Sequence, residues 1–144
     1  MTIEEDLKKG ISCVKDEKFD EALKIFKNIL KVDANNVAAN YNIAIILSKI
    51  GRFDQACNFF DFCLRKEPKN FKYLQGYIKI LICLGKINEA RSIFDSVKKN
   101  YELGDQINSL YLQLSPENKL DFFYRYLENI GIFESKEGQM ITVN

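Results

Sequence analysis

The chain of 144 residues is the size of one domain, and its 47% hydrophobic and 28% charged residues have the balance of a folded rather than a disordered protein. The 21 Lys+Arg against 20 Asp+Glu leave a formal charge of +1, without the basic excess of a general nucleic-acid binder. With no histidine, His-based triads, proton shuttles and metal ligands are excluded; two prolines and seven glycines leave long unbroken stretches that suit helices better than many short strands.

The opening MTIEEDLKK is charged and lacks the apolar core of a secretory signal, while Glu4, Glu5 and Asp6 suit the first turn of a helix, where the dipole is positive. Further along, Phe19-Asp20-Glu21-Ala22 recurs as Phe53-Asp54-Gln55-Ala56 and as Ile87-Asn88-Glu89-Ala90, at one constant interval. A phenylalanine follows each alanine by four residues, at Phe26, Phe60 and Phe94, and Gly51 and Gly85 mark one turn per unit where the first unit has Glu17. The second unit shows the physics best. Ile43, Ala44, Ile46, Leu47 and Ile50 give a helical apolar stripe over Val37 to Lys49. Gly51-Arg52 interrupts it. Ala56, Phe59, Phe60, Cys63 and Leu64 then form a second stripe that Pro68 stops. Each unit therefore reads as two antiparallel helices, with the alanine allowing close approach and the phenylalanine filling the space one turn later. Such a hairpin covers its apolar face only when stacked on another.

Beyond the three units, residues 105–114 can form a helix, and Ser115-Pro116-Glu117 starts another that carries Leu120, Phe123, Tyr124, Leu127 and Ile130. This pair is a candidate end cap, and residues 131–144 read as a tail with little core material. The four cysteines, Cys13, Cys57, Cys63 and Cys83, have neither C-x-x-C nor zinc spacing and are expected as reduced thiols, Cys13 and Cys63 in the core.

The pattern Asn40-x-x-Ile43-Ala44-x-x-Leu47, Gly51, Phe53, Ala56, Phe60, Pro68 resembles the tetratricopeptide repeat family. Gly10, Phe19, Ala22 and Phe26 match in the first unit, and Leu74, Leu81, Gly85, Ala90 and Phe94 in the third. Ala34 and Glu102 stand where prolines are usual, and Ile78 where a small residue is. The resemblance implies an all-α, right-handed α-solenoid with repeats 3–36, 37–70 and 71–104 and capping helices 105–130, one domain over residues 1–130. It also implies a concave groove lined by the first helix of each unit. In that geometry the groove is lined by Glu4, Leu7, Lys8, Ile11, Val14 and Lys15 from the first unit, by Ala38, Tyr41, Asn42, Ile45, Ser48 and Lys49 from the second, and by Lys72, Gln75, Gly76, Lys79, Ile82 and Cys83 from the third.

Some co-chaperones of the family hold a C-terminal carboxylate with Lys, Asn, Asn, Lys and Arg. Leu7, Ile11, Asn42, Lys72 and Gly76 occupy those positions here, so a two-carboxylate clamp is not expected. No phosphate-binding or nucleophile-elbow motif is present. The expectation is a non-enzymatic adaptor, without cofactor or metal, in the cytoplasm. It captures a peptide or partner helix with apolar anchors at Leu7, Ile11, Tyr41 and Ile45, Asn42 bonding the backbone and Lys72 and Lys79 selecting an acidic partner. Neither nucleic acid nor membrane is expected as a partner. An accessory or oligomerisation module of an enzyme, and a helical-repeat RNA binder, remain the alternatives.

Overall fold

The computed structural model describes residues 2–97 and Arg125. Among these residues there are six helices and no strand: α1 (Ile3–Lys15), α2 (Phe19–Val32), α3 (Val37–Lys49), α4 (Phe53–Lys66), α5 (Phe71–Cys83) and α6 (Ile87–Val97). The expected capping helices over 105–130 and the tail over 131–144 lie outside the described residues, apart from helical Arg125.

The odd-numbered helices start on side-chain caps. Thr2 Oγ1 accepts from Glu5 N–H at 3.1 Å, Asn36 Oδ1 from Ala39 N–H at 2.9 Å and Asn70 Oδ1 from Lys72 N–H at 3.0 Å. Each cap satisfies a donor that the first turn leaves without a helical partner. The same helices all stop in one way. Lys18, Arg52 and Lys86 N–H each reach back five residues, to Cys13, Leu47 and Leu81 O, at 2.8 Å. The preceding residue must then take a left-handed backbone. Gly51 and Gly85 do so at φ 83° and 74°, and Glu17 does so at φ 59°. Nothing crowds a Cβ at Gly51 or Gly85, so the backbone angle and not space calls for glycine there.

The chain divides into two compact units, Met1–Glu67 and Pro68–Asn144. In the first, α1 packs on α2, α2 on α3 and α3 on α4, and α1 also touches α3. The linkers of three or four residues at 16–18, 33–36 and 50–52 make consecutive helices antiparallel, so α1 and α3 run parallel. The core is the expected set. Ala22, Phe26, Ala44, Ala56, Phe60 and Cys63 are fully enclosed. A Cβ at Gly10 would lie 2.6 Å from Phe26 Cζ, so the bare glycine lets the ring seat against α1. In the second unit α5 packs on α6 around Leu74, Ile78, Leu81, Ala90 and Phe94. Each fully buried phenylalanine contributes about 1.5–3 kcal/mol of transfer free energy.

Three expectations are corrected. Ile50 does not continue the stripe of α3: it is the C-cap residue, 41% exposed, because the helix has already ended. Phe59 is half-buried rather than enclosed. Ile82, placed in the groove by repeat geometry, is only 3% exposed; Ile80, Leu81 and Ile82 are all buried, so the end of α5 is enclosed on several sides.

Candidate functional site

Helix α3 has two faces of different character. Ala39, Asn40, Ile43, Ala44, Ile46 and Leu47 are buried, whereas Ala38, Tyr41, Asn42, Ile45 and Ser48 are half-buried and Lys49 is exposed. The open residues recur every three or four positions and form one stripe along the helix. On the parallel helix α1 the matching residues are Leu7 and Val14, half-buried, and Ile11, 37% exposed. Leu7 and Tyr41 are one repeat apart in the sequence, as are Ile11 and Ile45. Each pair holds equivalent repeat positions on two touching helices.

The polar groups on this stripe are turned inward to their own backbone. Asn42 Nδ2–H donates to Ala38 O at 2.8 Å and Ser48 Oγ–H to Ala44 O at 2.7 Å. These bonds leave the face more apolar than its composition suggests, a feature that spacing alone does not reveal. Asn42 thus spends one amide N–H on its own helix. Tyr41 is anchored rather than loose. Its ring meets Phe60 edge-on, with centroids 6.0 Å apart and planes at 69°. Burial, and secondarily the nearby Cys63, push its hydroxyl pKa above the ordinary value, so it stays a neutral phenol.

All four cysteines are free, with Cys13 and Cys63 buried. Cys63 Sγ lies 3.6 Å from Val37 O, and burial, then Glu67, push its thiol up to about 12. A thiol held that firmly is not a thiolate at neutral pH. Burial also raises Cys83, against the opposing pull of the Lys79 ammonium. Among the described residues, no three His, Cys, Asp or Glu side chains gather to hold a metal ion, and no helix is long and apolar enough to cross a membrane.

Of the other sequence-derived site residues, Lys72 is exposed and Lys79 half-buried, both on α5 of the second unit. Among the described residues neither makes an ion pair. The sequence pattern overlooked Val32 at the end of α2, 78% exposed and the most open large apolar side chain among the described residues.

Residues 14–61, from the end of α1 into α4, match the family model described as Tetratricopeptide repeat. That segment is similar to a tetratricopeptide repeat. No curated protein matches it significantly. Among solved structures it is similar to a point mutant of MamA, with TM-score 0.61 and 21% identity over 69% of this chain and 73% of that one. It is also similar to MamA AMB-1, with TM-score 0.59 and 23% identity over 83% of this chain and 60% of that one. MamA MSR-1 gives TM-score 0.61 and 22% identity, covering 70% and 58%. The chain thus spans about three-fifths of the length of the latter two. At this identity the likeness concerns the fold, an all-α helical-repeat solenoid. The matched repeat supports a protein–protein interaction module in general.

Proposed function

We propose that this tetratricopeptide-repeat chain is a non-catalytic adaptor whose first unit captures a peptide or partner helix on the open face of α1 and α3. The observation that carries this reading is the patch of Leu7, Ile11, Tyr41 and Ile45, partly open on two touching helices while the opposite faces of both are packed. Apolar surface of this kind supplies affinity when a partner covers it. Asn42 orients the partner by bonding its backbone. Lys72 and Lys79 on α5 are assigned a different role, the choice of an acidic partner through faster encounter.

The test uses the full chain and the partner recovered with it by affinity capture and identified by mass spectrometry. Ile45→Asp is expected to abolish binding, since the carboxylate would be buried unpaired in the interface. Lys72→Glu with Lys79→Glu is expected to slow association at low salt while leaving the melting temperature unchanged. Wild-type binding by Ile45→Asp, with its fold retained, would remove this face as the site, and unchanged association by the lysine variant would remove the role given to Lys72 and Lys79.

A further inference from the structure

The charges around the apolar patch are not mixed evenly. At the amino-terminal end of α1 stand Glu4 and Glu5, both exposed. At the other end, Lys15 and Lys49 are exposed in the last turns of α1 and α3. These lysines too are one repeat apart, so they occupy equivalent positions on parallel, touching helices and lie at the same end of the patch. Each follows its apolar anchor, Ile11 or Ile45, by four residues, about 6 Å along the helix axis. Among the described residues neither lysine makes an ion pair. Each complements the carbonyl end of its own helix, and the ammonium groups remain in water beside the patch. Exposed Lys8 accompanies Glu4 and Glu5 at the amino-terminal end and α3 starts without an acidic residue, so the lysine pair at the carbonyl ends is the charge feature that α1 and α3 share.

From this pair of cations at two carbonyl ends we infer that the α1/α3 face accepts an amphipathic partner helix in one direction, antiparallel to α1 and α3, with the partner's acidic first turn against Lys15 and Lys49. The inference rests on the proposed binding face and adds the partner's chemistry and orientation. Two effects favour the same direction. Acidic residues are most stable in the first turn of a helix, and here they meet two cations. The partner's positive helix end also comes to lie against the two carbonyl ends of α1 and α3, whereas a parallel partner would set like ends together. Leu7 and Ile11 are one turn apart on α1, the spacing at which apolar residues of a partner helix also recur. An extended segment would offer the side-chain spacing without the end-to-end dipole match.

Two synthetic peptides of about 18 residues, five helical turns, provide the probe. Both carry the same leucine stripe, one with glutamates in its first turn and lysines in its last, the other with these charges exchanged. Binding to the full-length protein is measured by fluorescence anisotropy at low and high salt. The first peptide should bind about tenfold more tightly at low salt, with the preference shrinking as salt screens it. Lys15→Glu with Lys49→Glu should reverse the preference, and Ile45→Asp should weaken both peptides alike. Equal affinity for the two peptides, with Ile45→Asp still weakening them, would overturn the orientation and leave the binding face standing. Binding that ignores Ile45→Asp, or no binding by either peptide, would overturn the inference together with the face it rests on. Tighter binding by the exchanged peptide would show the opposite direction and refute the inference.

Discussion

The first two hairpins, α1–α2 and α3–α4, are built to one plan and filled differently. Where the first has Gly10 the second has Ala44; where the first turns at Glu17 the second turns at Gly51; where the first presents Leu7 the second presents Tyr41. The enclosed alanines and phenylalanines do not vary: Ala22 and Ala56 are fully buried, and Phe26 and Phe60 are at most 1% exposed. Positions that set the distance between helices are thus fixed by packing. Positions at the turn and on the open face are set by other demands, and on α1 and α3 those demands keep an apolar stripe where solvent would favour polar residues.

The largest test of this contrast removes the shared ring. Phe26→Ala and Phe60→Ala should each lower stability by about 3–5 kcal/mol in urea denaturation, and by similar amounts. A loss below about 1 kcal/mol in either would mean that the two hairpins do not share a core plan.

A smaller effect separates the hairpins at their close contact. Gly10→Ala places a Cβ 2.6 Å from Phe26 Cζ. The overpacking should cost about 1–3 kcal/mol, outweighing the gain of about 1 kcal/mol in helix propensity. A stabilised Gly10→Ala variant would show that the ring moves aside freely.

The turns should respond with opposite signs. Glu17→Gly relieves a left-handed glutamate and should stabilise by about 0.5–1 kcal/mol, whereas Gly51→Ala should destabilise by about 1 kcal/mol. The melting temperature reads both. Shifts of the same sign would contradict the account of the turn.

The thiols sharpen the picture by rate rather than by energy. Burial pushes Cys63 from 9.0 up to about 12, so thiol titration near neutral pH should find it far slower than the half-buried Cys57. The pH dependence of stability follows. The unfolded thiol loses its proton near 9.0 while the folded one keeps it to about 12. This contribution is therefore full below pH 9 and is lost as pH rises through that window. Rapid labelling of Cys63 in the native protein would contradict its place in the core.

Much of the fold was legible because one period governs it. That constant step places six helices, two enclosed alanines and two enclosed phenylalanines of the first unit, and the left-handed turns at Gly51 and Gly85. The period put Glu17 at the position of the turn glycines, but that a glutamate there takes the left-handed angle shows only in the backbone, where Lys18 N–H bonds Cys13 O. Ile50 and Ile82 failed for opposite reasons. Extending the apolar spacing past the helix end made Ile50 look enclosed, and transferring a position from one repeat to another made Ile82 look open. At the candidate site, the residues of α1 and α3 could be named from the period. The internal hydrogen bonds of Asn42 and Ser48, which make the face more apolar, depend on side-chain geometry that no spacing encodes.

The most direct test is amide chemical-shift mapping of the full-length protein during titration with the captured partner segment. The account predicts that Leu7, Ile11, Tyr41 and Ile45 shift and broaden first, with Ile45→Asp removing those changes while leaving the rest of the spectrum folded. Shifts centred on the exposed residues of α2 and α4 instead, with those four amides unmoved, would contradict it.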